Sequence, residues 1–160
     1  MIYTKKTKKA MKIMYKKHRN QVDRSDLPYI FHPWHVAENQ PDETRTIVAL
    51  LHDVVEDTDM TFEDLEKEGF SEEVIEALKL LTHTSDMDYF EYVERISNNP
   101  IALDVKLADL KHNSEIERLD NITDKDIARK EKYEKCIEYL ELKKSILDDI
   151  KQLKKMKSTG

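Results

Sequence analysis

The densest concentration of reactive side chains in the sequence is Ala49-Leu50-Leu51-His52-Asp53-Val54-Val55-Glu56-Asp57-Thr58. An apolar run from Ile47 to Leu51 leads into a His-Asp doublet, and two valines later comes a Glu-Asp doublet. On a helix, His52 and Glu56 share one face, and so do Asp53 and Asp57. Burying such groups unpaired is costly. A divalent cation removes that cost, because neutral imidazoles and carboxylates are the donors it takes. The stretch therefore predicts a metal-dependent hydrolytic site. Acids at a helix C-terminus oppose its dipole, which favours a functional role for Glu56 and Asp57. Further donors are available at His18, His32, His35, His83 and His112. Asp109 stands out because it interrupts the apolar stretch Val105 to Leu110, with Asn113 on the same helical face. His35 and His83 read as structural histidines, and His112 as a packing or supporting residue rather than a ligand.

Other chemistries are excluded by composition. The only glycines are Gly69 and Gly160, so no phosphate-binding glycine loop can be built. Cys136 is the only cysteine, which rules out an internal disulfide and a zinc-thiolate centre. It falls in a helical pattern and reads as a small core residue. No apolar run reaches the length of a membrane span, and no signal-peptide core is present. The expectation is a soluble protein of a reducing compartment, the cytoplasm. The net charge of −6 divides unevenly, with +8 on residues 1–24 and −14 on the remainder. A basic arm suits a polyanion such as a nucleotide phosphate or a nucleic acid, or it is a solvated helix face.

The elements that must position these residues read as helices throughout. Thr4 to Arg19 is amphipathic, with Ala10, Ile13 and Met14 as its apolar stripe. Pro33 opens a short helix to Asn39. A buried central helix runs from Pro41, with capping at Asp42, to Val55. Thr61 and Asp64 form a capping box for a helix ending at Gly69, and Ser71 caps the next. A short helix ends near Ser97, and another spans Pro100 to Leu119. Thr123 caps a long helix to Lys157, in which Cys136, Leu140, Leu147, Ile150 and Leu153 recur at helical spacing. The pattern is all-α, in about seven helices, with residues 1–160 forming a single domain: a core over 1–122 and a C-terminal helix over 123–157.

A lone His, an adjacent His-Asp and a distant Asp resemble the ligand set of the HD superfamily of phosphohydrolases; here they are His32, His52-Asp53 and Asp109. More narrowly, four segments resemble the hydrolase domain of the RelA/SpoT homologues and the small alarmone hydrolases. They are His18-Arg19-Asn20-Gln21, Tyr29-Ile30-Phe31-His32-Pro33, Ala49 to Thr58 and Val105 to Asn113. The resemblance implies a compact HD-domain helical bundle. It implies that His32, His52, Asp53 and Asp109 hold one divalent cation, usually manganese, and that Glu56 and Asp57 act on the attacking water. It places Asn113 on the nucleoside sugar and Arg24 on phosphate or base. The reaction implied is removal of pyrophosphate from the 3′ position of guanosine tetra- or pentaphosphate. The expected partner is a small nucleotide, not a nucleic acid or a membrane; the oligomeric state is open. No synthetase domain is visible after the last helix, so alarmone synthesis is not expected.

The sequence departs from that pattern where phosphate and guanine are handled. Asn20 replaces a glycine, Asp23-Arg24 replaces an Arg-Lys pair, and Thr82-His83 replaces Thr-Lys. Thr84 to Asp88 carries acids and no base where the alarmone hydrolases carry a basic loop. Two alternatives follow: an HD phosphohydrolase acting on another nucleotide, such as a nucleoside monophosphate, or a non-catalytic nucleotide-binding module. The complete ligand set and the Glu56-Asp57 pair argue against the second.

Overall fold

The computed structural model describes residues 1–83 and 87–158. Among the described residues it contains nine α-helices, one 3-10 turn and no strand, the only β pairing being an isolated bridge between Val22 and Pro28. The all-α expectation holds. One helix is added because the expected helix from Pro41 to Val55 is divided at His52–Asp53; the expected helix from Pro100 to Leu119 is cut short and followed by the 3-10 turn, and both changes fall at the site.

α1 (Lys5–His18) starts at a reciprocal cap: Thr4 Oγ1 accepts from Thr7 N–H, and Thr7 Oγ1 accepts from Thr4 N–H. Its buried face is Thr7, Ala10, Met14 and His18, with lysines covering the rest. α2 (Phe31–Glu38) begins two residues before Pro33, which lies within its first turn. α3 (Glu43–Leu51) is capped by Asp42, whose carboxylate accepts from Arg45 N–H at 2.8 Å. Ile47 to Leu51 are all fully or almost fully buried, and α3 packs against α1, α2, α6 and α8. It is the central helix the apolar run predicts.

α3 does not continue to Val55. It stops at Leu51, and a separate turn of helix, α4 (Val54–Asp57), starts after Asp53. In a continuing helix the Ala49 carbonyl would accept the N–H of Asp53. Here it accepts the ring N–H of His52 at 2.7 Å. The chain turns at the doublet.

α5 (Phe62–Lys67) has the expected Thr61–Asp64 capping box and ends at Gly69, whose φ of +84° is open to glycine at no steric cost. α6 (Glu72–Leu81) follows, but Ser71 makes no side-chain capping bond, so that expectation fails. α7 (Tyr89–Ile96) is capped by Asp88, and α8 (Pro100–Asn113) by Asn99 with Pro100 at its first position. α8 was expected to reach Leu119. It ends at Asn113, where Ser114 Oγ bonds back to the Leu110 carbonyl, and a 3-10 turn at Ile116–Arg118 redirects the chain.

α9 (Asp124–Ser158) lies along α8 through its first half, burying Cys136 and Leu140 completely. The core reading of Cys136 holds. Farther along the same spacing Leu147 is partly buried, whereas Ile150 and Leu153 are exposed, together with Leu142 and Ile146. No helix among the described residues is long and apolar enough to cross a membrane.

Replacing Leu140 by Ala should cost about 2–5 kcal/mol in urea unfolding, since a fully buried leucine leaves a cavity. Leu153→Ala should stay within about 0.5 kcal/mol of the parent, because its side chain is exposed.

Candidate functional site

Two helices and the turn between α3 and α4 converge on one buried cluster. His32 comes from the first turn of α2, His52 and Asp53 from the turn, and Asp109 from α8. His32, His52 and Asp109 are each only 4 % exposed. One donor atom from each of these three lies within 4.8 Å of the others, a grouping that could hold a metal ion. His32 Nε2 is 3.2 Å from Asp109 Oδ1 and 3.3 Å from His52 Nε2. Asp53 Oδ2 is 3.0 Å from His52 Nε2 and 3.6 Å from His32 Nε2. Two imidazoles and two carboxylates fit a divalent cation in charge and in donor type.

Each member is oriented by a further contact. The Ala49 carbonyl fixes His52 through its Nδ1–H. The Tyr29 hydroxyl donates to Asp53 Oδ2, and the Tyr29 ring packs 5.1 Å from His18. Burial and the Asp53 charge both push the Tyr29 phenol upward, so it remains a donor. His18 is buried, which lowers its pKa, and its Nδ1 meets Gln21 Oε1 at 2.6 Å. Gln21 in turn donates to the Asp57 carbonyl at 3.0 Å. The His18–Gln21 segment thus braces the His/Asp cluster from behind.

Asp109 divides its two oxygens. Oδ2 takes the Lys106 ammonium at 2.9 Å, and Oδ1 takes Asn113 Nδ2 at 2.5 Å and faces the imidazoles. Burial opposes its ionisation, but Lys106 and the two histidines outweigh burial and hold the carboxyl well below its usual range. Lys106 is largely buried beneath Tyr92, 5.1 Å from that ring's centre. Burial would discharge it, and the Asp109 charge keeps it an ammonium. At Asp53, burial is likewise outweighed by His52, and the carboxyl is drawn down to about 2. The counterpart is His52: burial disfavours its protonation, but Asp53 and Asp109 prevail and raise its pKa.

Beside the cluster lies a cavity of about 280 Å³ lined by Arg24, Tyr29, His32, Asn113 and Arg118 among others. A smaller pocket continues past Arg24, Asn113 and Arg118 to Arg129 and Tyr133 on α9. The His/Asp cluster therefore opens into a cleft with three arginines, suited to an anionic ligand. Two of them are also structural ties. Arg24 pairs with the buried Asp126 at the start of α9, and Arg118 Nη1 bonds Asp23 Oδ2 at 2.6 Å. Arg118 Nε is buried with no protein partner.

No protein-family model matches the chain. Among curated proteins it is 30% identical over 145 residues to a guanosine-3′,5′-bis(diphosphate) 3′-pyrophosphohydrolase of Aquifex aeolicus, covering 83% of this chain and 20% of that protein. It is 33% identical over 118 residues to a probable GTP pyrophosphokinase of Mycobacterium leprae, covering 66% of this chain and 15% of that protein. Among solved structures it superposes on a metazoan orthologue of SpoT, described as hydrolysing ppGpp. The TM-score is 0.72 at 25% identity, with 94% of this chain and 98% of that one covered.

The chain is a homologue of the SpoT-type hydrolases. It spans a fifth or less of the length of the two curated relatives. It is coextensive with the solved SpoT orthologue, so the fold is that of an HD-type hydrolase domain.

Within this SpoT-like fold, the expected site residues meet differing surroundings. His32, His52 and Asp109 converge, and Asp53 lies against both imidazoles. Asp57 is at the edge of the cluster; desolvation, then the Asp53 and Glu56 charges, push it up to about 6. Glu56 Oε2 accepts from the His83 backbone N–H at 2.9 Å. The premise that His52 and Glu56 share one helix face fails, since they stand on either side of the break between α3 and α4. Asn113 and Arg24 both line the cleft. Asp23, an acid in place of a base, organises its own loop by accepting from Ser25 and Leu27 N–H. His83 meets the Met87 carbonyl and the edge of Tyr92. In the acid-bearing stretch from Thr84 to Asp88, positions 84–86 fall outside the described residues.

Sequence reasoning passed over Lys106, Arg118, Arg129 and Tyr133. Lys106 was findable from its spacing of three to Asp109. Arg118 was hidden by the expectation of continuous helix, and Arg129 and Tyr133 reach the cleft only because α9 folds back over α8.

A cation bound at this cluster would have to displace a proton. Because Asp53 and Asp109 raise the His52 pKa, that ring is protonated over more of the pH range in the metal-free protein. Mn²⁺ affinity should therefore drop by about tenfold per pH unit below the raised His52 pKa, with proton release on binding. Calorimetry in two buffers of different ionisation enthalpy measures both.

Proposed function

We propose that this chain is a metal-dependent nucleotide pyrophosphohydrolase that removes the 3′ pyrophosphate of (p)ppGpp-type alarmones. The observation that carries this reading is the buried His32–His52–Asp109 cluster, with Asp53 beside it, opening into an arginine-lined cleft. The names of the hydrolase relatives and of the SpoT orthologue support it. The partner is a small nucleotide, and the compartment assigned is the cytoplasm.

His32, His52, Asp53 and Asp109 would hold one divalent cation, with Mn²⁺ the assignment. The bound ion would acidify water and neutralise phosphoryl charge. The chain's own residues do the rest. Asp57, with its raised pKa, and Glu56 take the proton of the attacking water. Water oxygen bonds to phosphorus as the bond from phosphorus to the 3′ oxygen breaks; the proton taken from water passes to the 3′ oxygen, which releases pyrophosphate and leaves the 5′-di- or triphosphate nucleotide with a free 3′ hydroxyl. Arg24 and Arg118, which line the cleft, would face the anionic groups, and Asn113, which lines it too, would contact the sugar. Asn113 also donates to Asp109, so it would link sugar position to ligand geometry.

A second reading, another nucleotide such as a nucleoside monophosphate, is favoured by one observation. Arg24 and Arg118 are each engaged by an acid of the fold, which reduces the positive charge offered to a polyphosphate. A screen of nucleotides with Mn²⁺, reading pyrophosphate and orthophosphate separately, decides. Pyrophosphate from ppGpp is expected; orthophosphate from monophosphates alone would establish the second reading, and no turnover with any metal would leave a binding module.

Asp53→Ala should lose Mn²⁺ binding together with activity; a variant that retains one equivalent of metal removes Asp53 from the ligand set. Glu56→Gln should bind Mn²⁺ normally and lose turnover by about 10²–10⁴-fold.

A further inference from the structure

The two imidazoles of the cluster are supported by different means. Both present Nε2 to the interior of the site. A ring nitrogen that ligates a cation must carry its lone pair, so the proton of each neutral ring belongs on Nδ1. For His52 that proton has a backbone acceptor, the Ala49 carbonyl at 2.7 Å. His32 has no such carbonyl. The partner of its Nδ1, among the described residues, is the Nδ1 of His112 at 2.7 Å.

Two imidazole nitrogens at that separation need one donor and one acceptor. With Nε2 of His32 bare, the roles are set: His32 Nδ1–H donates, His112 Nδ1 accepts, and the His112 proton is on Nε2. Packing holds the acceptor in place. His112 stacks on His32 with centroids 4.9 Å apart and planes at 27°. On its other side it stacks on His35 at 4.4 Å and 28°. α8 thus supplies Asp109 as one member of the cluster and, one turn later, the group that aims a second member carried by α2.

We propose that His112 is a positioning residue for the metal site, fixing the tautomer and ring angle of His32 through the Nδ1–H···Nδ1 bond. The proposal rests on the metal-site reading above. It predicts that cation affinity requires a hydrogen-bond acceptor at position 112, whereas folding does not.

Mn²⁺ titration by calorimetry tests this on the wild type, His112→Phe and His112→Asn, with thermal unfolding of each metal-free protein alongside. Phenylalanine keeps the aromatic stack and removes the acceptor; asparagine restores an acceptor oxygen. The expected result is affinity weakened by about 10–100-fold in His112→Phe. Affinity within about threefold of wild type is expected in His112→Asn, with unfolding midpoints unchanged. Wild-type affinity in His112→Phe overturns the proposal, and so does equal loss in both folded variants. A wild type that binds no Mn²⁺ overturns the metal-site reading itself, a distinct result. Nitrogen-labelled histidine spectra of the wild type with Zn²⁺ give an answer that needs no variant. His32 in the Nδ1–H form is expected, and the Nε2–H form overturns the assignment.

Discussion

The structure depends on keeping one carboxylate ionised where water does not reach it. Asp109 lies on α8 beneath two histidines, and an isolated charge there would revert to the neutral acid. Lys106, one turn earlier on the same helix, prevents this by lending a full positive charge to Oδ2, which leaves Oδ1 for the site. The ammonium needs shelter in its turn, and Tyr92 provides it. α7 is therefore tied to the chemistry without contributing a donor to it. Removing either charge alone would leave the other buried and unpaired, which costs more than the pair contributes.

The turn at His52–Asp53 answers a related constraint. A regular helix would point the two side chains 100° apart, and only one of them could face a common centre. Stopping α3 at Leu51 lets both reach the same spot. The stop is stabilised by the very histidine that benefits, through its bond to the Ala49 carbonyl. The apolar run before it anchors the turn in the core, so the doublet is displayed from the end of a fully packed helix.

Much of this was legible in the sequence. Buried Ile47 to Leu51, the Thr61–Asp64 cap, and the core positions Cys136 and Leu140 follow directly from periodicity and capping. The resemblance brought His32, His52 and Asp109 together across long separations that no local pattern spans. What escaped was tertiary. Side-chain bonds to main-chain carbonyls, from His52 to Ala49 and from Ser114 to Leu110, accompany helix ends where the apolar pattern continues unbroken. Ile150 and Leu153 keep helical spacing after the body they would cover has ended. Arg118 and Arg129 look like ordinary surface charges until the 3-10 turn and α9 bring them to Arg24.

The pairing of Arg24 with Asp126 joins the loop before α2 to the first turn of a helix of 35 residues. Such a helix is a rod of about 50 Å. Its middle rests on α8, one end forms part of the cleft wall, and the other end projects with its apolar side uncovered. Its anchor in the core is the fully buried pair Cys136 and Leu140. Through Asp126, the rod whose far end carries the exposed Ile150 and Leu153 also fixes Arg24 at the mouth of the cleft.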